Sequence, residues 1–373
     1  MTDAITTGTP HSAAMYQLIY NSKKISKQEI AQQMQLSLPT VTQTLHQLLA
    51  DELIVTDGKF SSQVGRRAVV YSPNRDRRFA IGLEIFSDHA TLSLLNVMFE
   101  NLGTARLTID FTTDDTYFTK LAQWLHQFLL EQKIDQDKVI GVGIGIQGLI
   151  SPDGKTVLYG KILDCTGLTS ARFETAFGLP VTLYHDADCV AMAEQTLSKD
   201  HRDAVYLSIG EHLGTAIMID DDIYTGQNGR SGTMEHITLN SQTGKQCYCG
   251  RKGCLETYSA LSALLQPGEV IDQFMQQVAA GEPAASVRWQ QYLDDLAEVI
   301  NNLHMFVDNR IVLAGDLVQY LDDAVLTTVN QRIRQITAFP EDRDYVQLGT
   351  VRNRPVSTGA AIPLIKAALQ TIQ

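Results

Sequence analysis

Apolar residues recur along this chain with two different periods. Between residues 26 and 50 they return every three or four positions, as on one face of a helix. From residue 79 onward, short apolar runs with the character of buried strands alternate with longer helical stretches. The pattern predicts a small helical unit followed by a larger α/β unit.

Two helix starts mark the first unit. Ser26 is followed three residues later by Glu29, which is the spacing of a capping box, and Ile30 and Met34 then lie on one helical face. A brief turn leads to Ser37, a second N-cap residue. Two short helices joined by a tight turn are typical of a helix-turn-helix.

The second helix of this pair is predicted to have an uncharged, polar outer face. Pro39 lies just inside the helix, and Val41, Leu45 and Leu48 form its buried stripe. Threonine and glutamine on the opposite face can hydrogen-bond to base edges in the major groove of DNA. The candidate base-reading residues are Thr40, Thr42, Gln43, His46 and Gln47.

A pair of β-strands should follow this helix. Leu53–Val55 and Val69–Tyr71 are short apolar runs, and the segment between them contains Asp57-Gly58. The segment ends in Arg66 and Arg67, which we expect to contact phosphates or the minor groove as part of a wing. The alternative is a small packing module that binds protein rather than DNA.

The rest of the chain has the pattern of two similar α/β halves. Sheets flanked by helices, present twice, indicate two lobes with a cleft between them. The first half is predicted to have strands at Ile81–Phe86, Ala90–Met98 and Val139–Ile150 and a helix at Lys120–Gln132. The second half repeats the order with strands at Ala204–Gly210, Gly214–Ile219 and Ile311–Ala314 and a helix at Gln290–Phe306.

One segment has the spacing of a metal site. It reads His-x10-Cys-x-Cys-x4-Cys, and three thiolates with one imidazole complete a tetrahedral zinc shell. No ligand position is left for water, so the zinc should be structural rather than catalytic. The alternative is a group of unrelated buried cysteines, which is our interpretation of Cys165 and Cys189. The four candidate ligands are His236, Cys247, Cys249 and Cys254.

Composition excludes a disordered chain and indicates no membrane span. Of the 373 residues, 44% are hydrophobic and 19% are charged, which provides apolar surface for a sizeable core. No run reaches the roughly 18 apolar residues of a membrane helix, and the first ten residues lack the pattern of a signal peptide. We therefore expect a cytoplasmic protein with no membrane partner.

The net charge of −12 is unevenly distributed. Residues 1–75 contain seven Lys or Arg and five Asp or Glu, a balance of +2, which leaves −14 for residues 76–373. A polyanion such as DNA would therefore be bound by the first unit alone.

Together these features resemble the ROK family of repressors, open reading frames and kinases. The resemblance covers nearly the whole chain and is strongest in the segment Tyr224–Glu256, while Gly143–Gly148, His185–Asp188 and Leu36–Val41 also match family motifs. It implies a winged helix-turn-helix followed by a two-lobed, actin-like (ribonuclease-H-like) body. It also implies a homodimer or dimer of dimers on operator DNA, with a sugar or phosphosugar effector between the lobes.

The resemblance divides the chain into three expected units. Residues 1–75 should form the DNA-binding domain. Residues 76–190 should form the first lobe, joined by a C-terminal helix at 356–373, and residues 191–355 should form the second lobe with its zinc loop.

The family's sugar-binding residues are only partly present. Asp186, His236 and Glu256 match them, whereas His185 replaces an asparagine and Thr233 replaces a glutamate. A threonine accepts fewer hydrogen bonds from sugar hydroxyls than a carboxylate does. The site could therefore take a different sugar, a phosphosugar, or no ligand, and the last case would leave a constitutive DNA-binding protein.

The family's nucleotide contacts are altered at three places. An Asp-x-Gly-Gly-Thr turn is replaced by Glu84–Asp88, a Gly-Thr-Gly-x-Gly loop by Gly210–Gly214, and a Gly-Gly-Gly turn by Ala314–Asp316. Phe86 would obstruct a polyphosphate, and the carboxylate of Glu211 would repel one. We therefore expect a transcription regulator of carbohydrate-related genes that is not an enzyme. The alternative, a sugar kinase with an attached DNA-binding unit, predicts sugar-dependent ATP turnover.

Overall fold

A computed structural model of the protein describes residues 11–59, 69–199 and 203–372. Within these ranges the chain forms an N-terminal unit and two α/β lobes, each with its own hydrophobic core. Arg66 and Arg67, which we expect to contact DNA, lie outside the described residues. None of the described helices is long and apolar enough to cross a membrane.

Three helices and a three-stranded sheet form the N-terminal unit. Their bounds are α1 Ser12–Ser22, β1 Ile25–Ser26, α2 Lys27–Met34, α3 Leu38–Ala50, β2 Ile54–Lys59 and β3 Val69–Pro73, with the strands in the order β1-β3-β2. The predicted capping box is present, because the Ser26 hydroxyl accepts from Glu29 N at 3.3 Å and the Glu29 carboxylate accepts from Ser26 N at 2.8 Å. Ser37 caps α3 by accepting from Thr40 N. The two predicted helices and the strand pair are confirmed.

The first lobe contains a mixed five-stranded sheet, a separate two-stranded hairpin, and helices packed against the sheet. The seven strands of the lobe are β4 Phe79–Ile85, β5 His89–Asn96, β6 Asn101–Thr108, β7 Val139–Ile146, β8 Leu149–Ile150, β9 Val157–Tyr159 and β10 Val181–His185. Its helices are α4 Asp115–Glu131, α5 Ser170–Phe177 and α6 Asp186–Leu197, with a short 3-10 helix at Gln136–Lys138. The sheet order is β10-β7-β4-β5-β6, and β8 and β9 form a separate hairpin.

The second lobe has the same layered construction. Its strands are β11 Ala204–Ile209, β12 Leu213–Ile219, β13 Asp222–Ile223, β14 Ile311–Ala314 and β15 Val346–Leu348, in the sheet order β13-β12-β11-β14-β15. Its helices are α7 Glu256–Ser259, α8 Leu261–Leu264, α9 Ile271–Ala279, α10 Pro283–Val307 and α11 Asp323–Ile336, with 3-10 helices at Met234–His236 and Asp316–Tyr320. Helix α12, Pro355–Gln370, follows the second lobe.

The two sheets share one connectivity. Each begins with an antiparallel hairpin, β4–β5 in the first lobe and β11–β12 in the second. A third strand, β6 or β13, extends the hairpin antiparallel. The strand after that, β7 or β14, pairs parallel with the first strand of the hairpin, and β10 or β15 extends the parallel part. The predicted duplication into two similar halves is therefore confirmed.

Three predicted elements differ most in their bounds from the elements in the structure. The helix predicted at Lys120–Gln132 begins earlier, at Asp115. The strand predicted at Val139–Ile150 is divided into β7 and β8, because the chain turns at Gly148, whose φ is +153°. The helix predicted at Gln290–Phe306 begins at Pro283, since proline suits the first turn of a helix.

Helix α12 connects the first lobe to the N-terminal unit. It packs against β4, β7 and α6, and Gly143 permits this approach because a Cβ there would lie 1.8 Å from the carbonyl oxygen of Ala360. After its C-terminal end, Ile372 is buried in the core of the N-terminal unit. The Tyr20 hydroxyl also donates to Val97 O at 2.7 Å. One helix thus spans from the central strands of the first lobe to the N-terminal core.

Candidate functional site

A cavity of about 440 Å³ lies between the two lobes. The first lobe lines it with the loops after β7 and β9 and with the start of α6, and the second lobe lines it with the predicted metal segment and the loop before that segment. Four of the five candidate ligand-binding residues line this cavity, and the fifth, Glu256, is buried behind His212 and Leu213. The four are His185, Asp186, Thr233 and His236.

His185 and Asp186 occupy the junction between β10 and α6. His185 Nε2 lies 3.2 Å from Asp186 Oδ1, and His185 Nδ1 lies 4.0 Å from Asp188 Oδ1. Burial disfavours the imidazolium form, but the charges of Asp186, Asp188 and Glu235 outweigh burial and raise the pKa of His185. The histidine that replaces the family's asparagine therefore adds a readily protonated group beside Asp186.

Glu235 and Thr233 form the opposite wall on the second lobe. Burial raises the pKa of Glu235 to about 7 although the charge of His185 acts to lower it. The Glu235 carboxylate accepts from Thr215 Oγ1 at 3.0 Å, and the Thr233 hydroxyl donates to Arg230 O at 2.7 Å. Thr233 keeps only its hydroxyl lone pairs for a ligand, whereas a glutamate would offer a whole carboxylate.

Glu256 is paired within the second lobe. Its side chain is 4% exposed, and it accepts from Leu213 N at 2.7 Å and pairs with His212 Nδ1 at 2.6 Å. Burial acts to lower the pKa of His212. The hydrogen bond to Glu256 and the charge of Glu256 outweigh burial, so the pKa of His212 is raised. A sugar hydroxyl would have to compete with His212 for this carboxylate. No local pattern in the sequence marks His212, because its partner Glu256 is 44 residues away along the chain.

The four candidate metal ligands converge at one point. His236 Nδ1 and Cys247 Sγ are 3.7 Å apart, Cys249 Sγ and Cys254 Sγ are also 3.7 Å apart, and all four ligand atoms lie within 4.8 Å of one another. A tetrahedral zinc ion with bonds of about 2.0–2.3 Å places its ligand atoms about 3.5–3.8 Å apart. The spacing and the chemistry of this donor set fit a zinc ion.

The metal segment also positions side chains at the cavity. Tyr248 contacts the ring of His212 at 5.2 Å and the ring of His236 at 5.0 Å between centroids, both edge to face. Arg251 donates from Nη2 to Thr238 Oγ1 at 2.6 Å and from Nη1 to His236 O at 3.4 Å. A metal ion in this loop would therefore fix one aromatic ring and one guanidinium in the wall of the cleft.

The altered nucleotide-binding positions contain acids and stacked rings. Burial, together with the nearby charges of Asp316 and Asp186, raises the pKa of Glu84, at the end of β4, to about 8. Phe86 stacks on His89 with the ring centroids 4.3 Å apart. A polyphosphate would meet these groups where the family's kinases are expected to present glycine amides.

Helix α3 presents the candidate base-reading residues on its outer face. Gln43 and His46 are exposed and make no hydrogen bond to any residue that the structure describes. Thr40, Thr42 and Gln47 already hydrogen-bond within the N-terminal unit. Gln43 and His46 are thus the candidates with unengaged polar groups.

Comparison with known proteins identifies the family of the two lobes. A family model described as "ROK family" matches residues 80–366. The xylose repressor of Caldicellulosiruptor bescii is 29% identical over 251 residues, which are 66% of this chain and 63% of the relative. The DNA-binding transcriptional dual regulator NagC of Escherichia coli is 29% identical over 260 residues, 69% of this chain and 64% of the relative. Both alignments span less than two thirds of the relative's length.

A solved structure matches over nearly the whole chain. It is a ROK family transcriptional regulator described as a homolog of the E. coli MLC protein, and it superposes with a TM-score of 0.75 at 24% identity. The match covers 99% of this chain and 98% of that one. At this identity the likeness shows the fold, and the predicted α/β, actin-like architecture is confirmed.

Proposed function

The chain belongs to the ROK family, and on that basis we propose that it is a transcription regulator, most simply a repressor of carbohydrate-related genes. A sugar or phosphosugar in the cleft would change its affinity for operator DNA. Relatives that match the two lobes include a xylose repressor and NagC. The observation that carries the proposal is helix α12, which packs against the strands of the first lobe and leads into the core of the N-terminal unit. Through this helix, a ligand-induced change at the cleft could be transmitted to the N-terminal unit.

In this proposal residues 1–75 form a winged helix-turn-helix that binds double-stranded operator DNA. The five outward residues of α3 contact bases, and Arg66 and Arg67 contact phosphates or the minor groove. The charge of +2 on this unit, against −14 on the rest, supports placing DNA here. A homodimer would bind half-sites about 34–36 Å apart, or multiples of that distance, and two dimers could associate.

The effector would bind between the two lobes, residues 76–190 with the C-terminal helix and residues 191–355. Asp186 and the ring edge of His236 would orient sugar hydroxyls. His185 and Thr233, which replace family residues, would set the preference among ligands. Glu256 would act indirectly, by holding the ring of His212 in the wall of the cavity.

The cofactor in this proposal is a structural zinc ion at the His236, Cys247, Cys249 and Cys254 site. Three thiolates and one imidazole complete its coordination shell, so the ion would link these four side chains and would not catalyse a reaction. It would hold the loop that carries Tyr248 against the cleft.

The protein is not proposed to be an enzyme. Partly buried Glu84 and the stacked Phe86 and His89 rings occupy positions where a kinase would need glycine amides. Without a nucleotide, Asp186 would orient a ligand and would not act as a general base.

Operator binding by the N-terminal unit can be tested with variants of the proposed contacts. A duplex would be selected from random DNA with the zinc-loaded full chain, and its affinity measured by fluorescence anisotropy. We expect the triple variant Gln43→Ala/Arg66→Ala/Arg67→Ala to bind at least about tenfold more weakly, since one base contact alone is worth about 1–3 kcal/mol. Gln331→Ala, exposed on α11, is the matched control and should bind like the wild type. Unchanged affinity in the triple variant would show that DNA is not bound by this face.

A constitutive regulator is the second candidate function. Two contacts favour it: the Glu256 carboxylate is already paired with His212, and the Thr233 hydroxyl already donates to Arg230 O. Both groups are therefore engaged within the protein rather than free for a sugar. It predicts operator affinity that is the same with every sugar and phosphosugar tried.

A further inference from the structure

Strand β6 is an open edge of the first-lobe sheet. It ends the order β10-β7-β4-β5-β6, and no strand in the described ranges pairs with its outer side. An edge strand presents unpaired N–H and C=O groups, which proteins usually protect by keeping the strand short or by adding charges. In the second lobe the equivalent strand, β13, is only two residues long, whereas β6 has eight. The shortening that protects the second lobe is therefore not used in the first.

The hydrogen bonds to β5 show which residues of β6 face this open edge. Ile109, directly after β6, donates from N to Asp88 O at 3.0 Å, so its backbone is directed to the β5 side. In an antiparallel pair, successive residues alternate between bonding to the partner strand and facing away from it. The register with β5 is regular from Gly103 to the end of β6, so every second residue of this stretch faces away. The three exposed residues whose backbone groups face the open edge are Thr104, Arg106 and Thr108.

A groove with a volume of about 820 Å³ runs beside this edge, between the end of β6 and the first turns of α4. Its apolar part comes from Leu107, Ile109 and Trp124, which are partly buried and pack against the first-lobe core. An extended peptide can add a strand to an exposed sheet edge while its alternate side chains enter pockets beside that edge. The first lobe presents both requirements, an open edge and an adjoining groove.

Tyr117 brings a hydroxyl without a partner to this groove. The residue lines the groove and is 3% exposed, and its hydroxyl makes no hydrogen bond to any residue that the structure describes. Burial raises the pKa of Tyr117, so the hydroxyl keeps its proton. Buried polar groups in proteins are nearly always hydrogen-bonded, and an exception requires an explanation. A ligand in the groove would supply the missing partner.

The free charges of the groove favour a basic side chain on that ligand. The carboxylates of Asp110 and Asp114 line the groove without an ion pair to any described residue, and Lys120 is the one cation among its described lining residues. Asp114 is the N-cap residue of α4, but its side chain makes no capping bond. A second copy of β6 would not complement these acids, because the residues that face α4 include no basic side chain. These residues are Gly103, Ala105 and Leu107.

We propose that β6 and the groove beside it form a docking site for an extended segment of a partner protein, which adds a sixth strand to the first-lobe sheet. The backbone of the segment bonds to Thr104, Arg106 and Thr108. On the groove side, its apolar side chains contact Trp124, a polar one bonds to the Tyr117 hydroxyl, and a basic one faces the two free carboxylates. The inference goes beyond the proposed function and requires neither DNA nor a sugar.

The test begins with a phage-displayed library of random decapeptides, selected on the zinc-loaded full chain. The affinity of the enriched peptides is then measured by fluorescence polarisation, and we expect them to carry strand-forming residues and at least one lysine or arginine. Thr108→Pro should weaken their binding at least about tenfold, because the edge loses a donor and the ring obstructs an added strand. Proline is tolerated on an edge strand where the N–H faces solvent, so the melting temperature should be unchanged. The matched control, Thr108→Ala, keeps the N–H and should bind like the wild type.

Tyr117→Phe is an independent variant, because it removes only the hydroxyl. Its melting temperature should be equal to that of the wild type or higher, since no bond within the protein is lost, while peptide binding should weaken by about two- to tenfold. The inference would be overturned by a library without enriched peptides, by binding unchanged in both Thr108→Pro and Tyr117→Phe, or by equal losses in Thr108→Pro and Thr108→Ala. Sedimentation velocity gives the last arm. A dimer that dissociates in Thr108→Pro would show that a second copy covers the edge, and this result too would overturn the inference.

Discussion

Replacing His212 by leucine removes the partner of a carboxylate whose side chain is only 4% exposed. Glu256 then keeps the backbone N–H of Leu213 at 2.7 Å as its remaining donor. Breaking a buried ion pair by removing one partner costs about 3–5 kcal/mol. The His212 side chain is 23% exposed, so solvent weakens this ion pair. We therefore expect His212→Leu to lower the free energy of unfolding by about 3 kcal/mol, the lower end of that range.

This loss should depend on pH in a defined direction. The pKa of His212 is raised in the folded protein, so its stabilising effect is fully present below the unfolded value of about 6.5. The effect is lost as pH rises through the folded pKa. His212→Leu should therefore lower the free energy of unfolding more at pH 5.5 than at pH 8.5.

The assay is urea unfolding of the zinc-loaded protein, followed by tryptophan fluorescence. Trp289 is 4% exposed in the core of the second lobe, and a Trp124→Phe background leaves it as the single reporter. A double-mutant cycle with Glu256→Gln isolates the energy of the pair. Equal losses at the two pH values, or a coupling energy below about 0.5 kcal/mol, would show that a charged His212 does not stabilise Glu256.

Three further predictions follow from the same contacts. Removal of zinc by a chelator, or Cys254→Ser, should lower the melting temperature by about 2–4 °C for each kcal/mol of binding energy lost; unchanged melting would refute a structural metal. Ile372→Ala should destabilise the N-terminal unit by about 2 kcal/mol and Ile372→Val by less, measured by urea unfolding; equal effects would contradict the packing of Ile372 in that core. ATP with magnesium should leave the melting temperature unchanged, because Glu84 and Phe86 occupy the nucleotide positions; a clear rise would reinstate a kinase.

Local signals in the sequence predicted local structure well. The Ser26 capping box, the Ser37 cap and the alternating apolar runs each depend on residues a few positions apart, and the structure contains the elements they predict. The cluster that could hold a metal ion was also predictable, since three of its four residues lie within eight positions of one another. In the structure the potential ligand atoms of these three cysteines and of His236 lie within 4.8 Å of one another.

Features that depend on distant residues could not be predicted in this way. The pairing of His212 with Glu256 and the burial of Ile372 in the N-terminal core join positions brought together only by the fold. Helix α1 lacks a side-chain cap, so nothing local marked its start. The lining of the cleft by Lys161 of the first lobe and by Arg230 and Arg251 of the second could not be predicted for the same reason.

In the proposed function, a ligand in the cleft controls DNA binding through helix α12. Its most direct test is the affinity of the selected operator duplex, measured by fluorescence anisotropy with and without a ligand at a concentration that saturates the cleft in calorimetry. Coupling of about 1–3 kcal/mol predicts a change of about five- to 150-fold in operator affinity. An operator affinity that is the same with the cleft empty and with the cleft saturated would show that a ligand in the cleft does not control DNA binding.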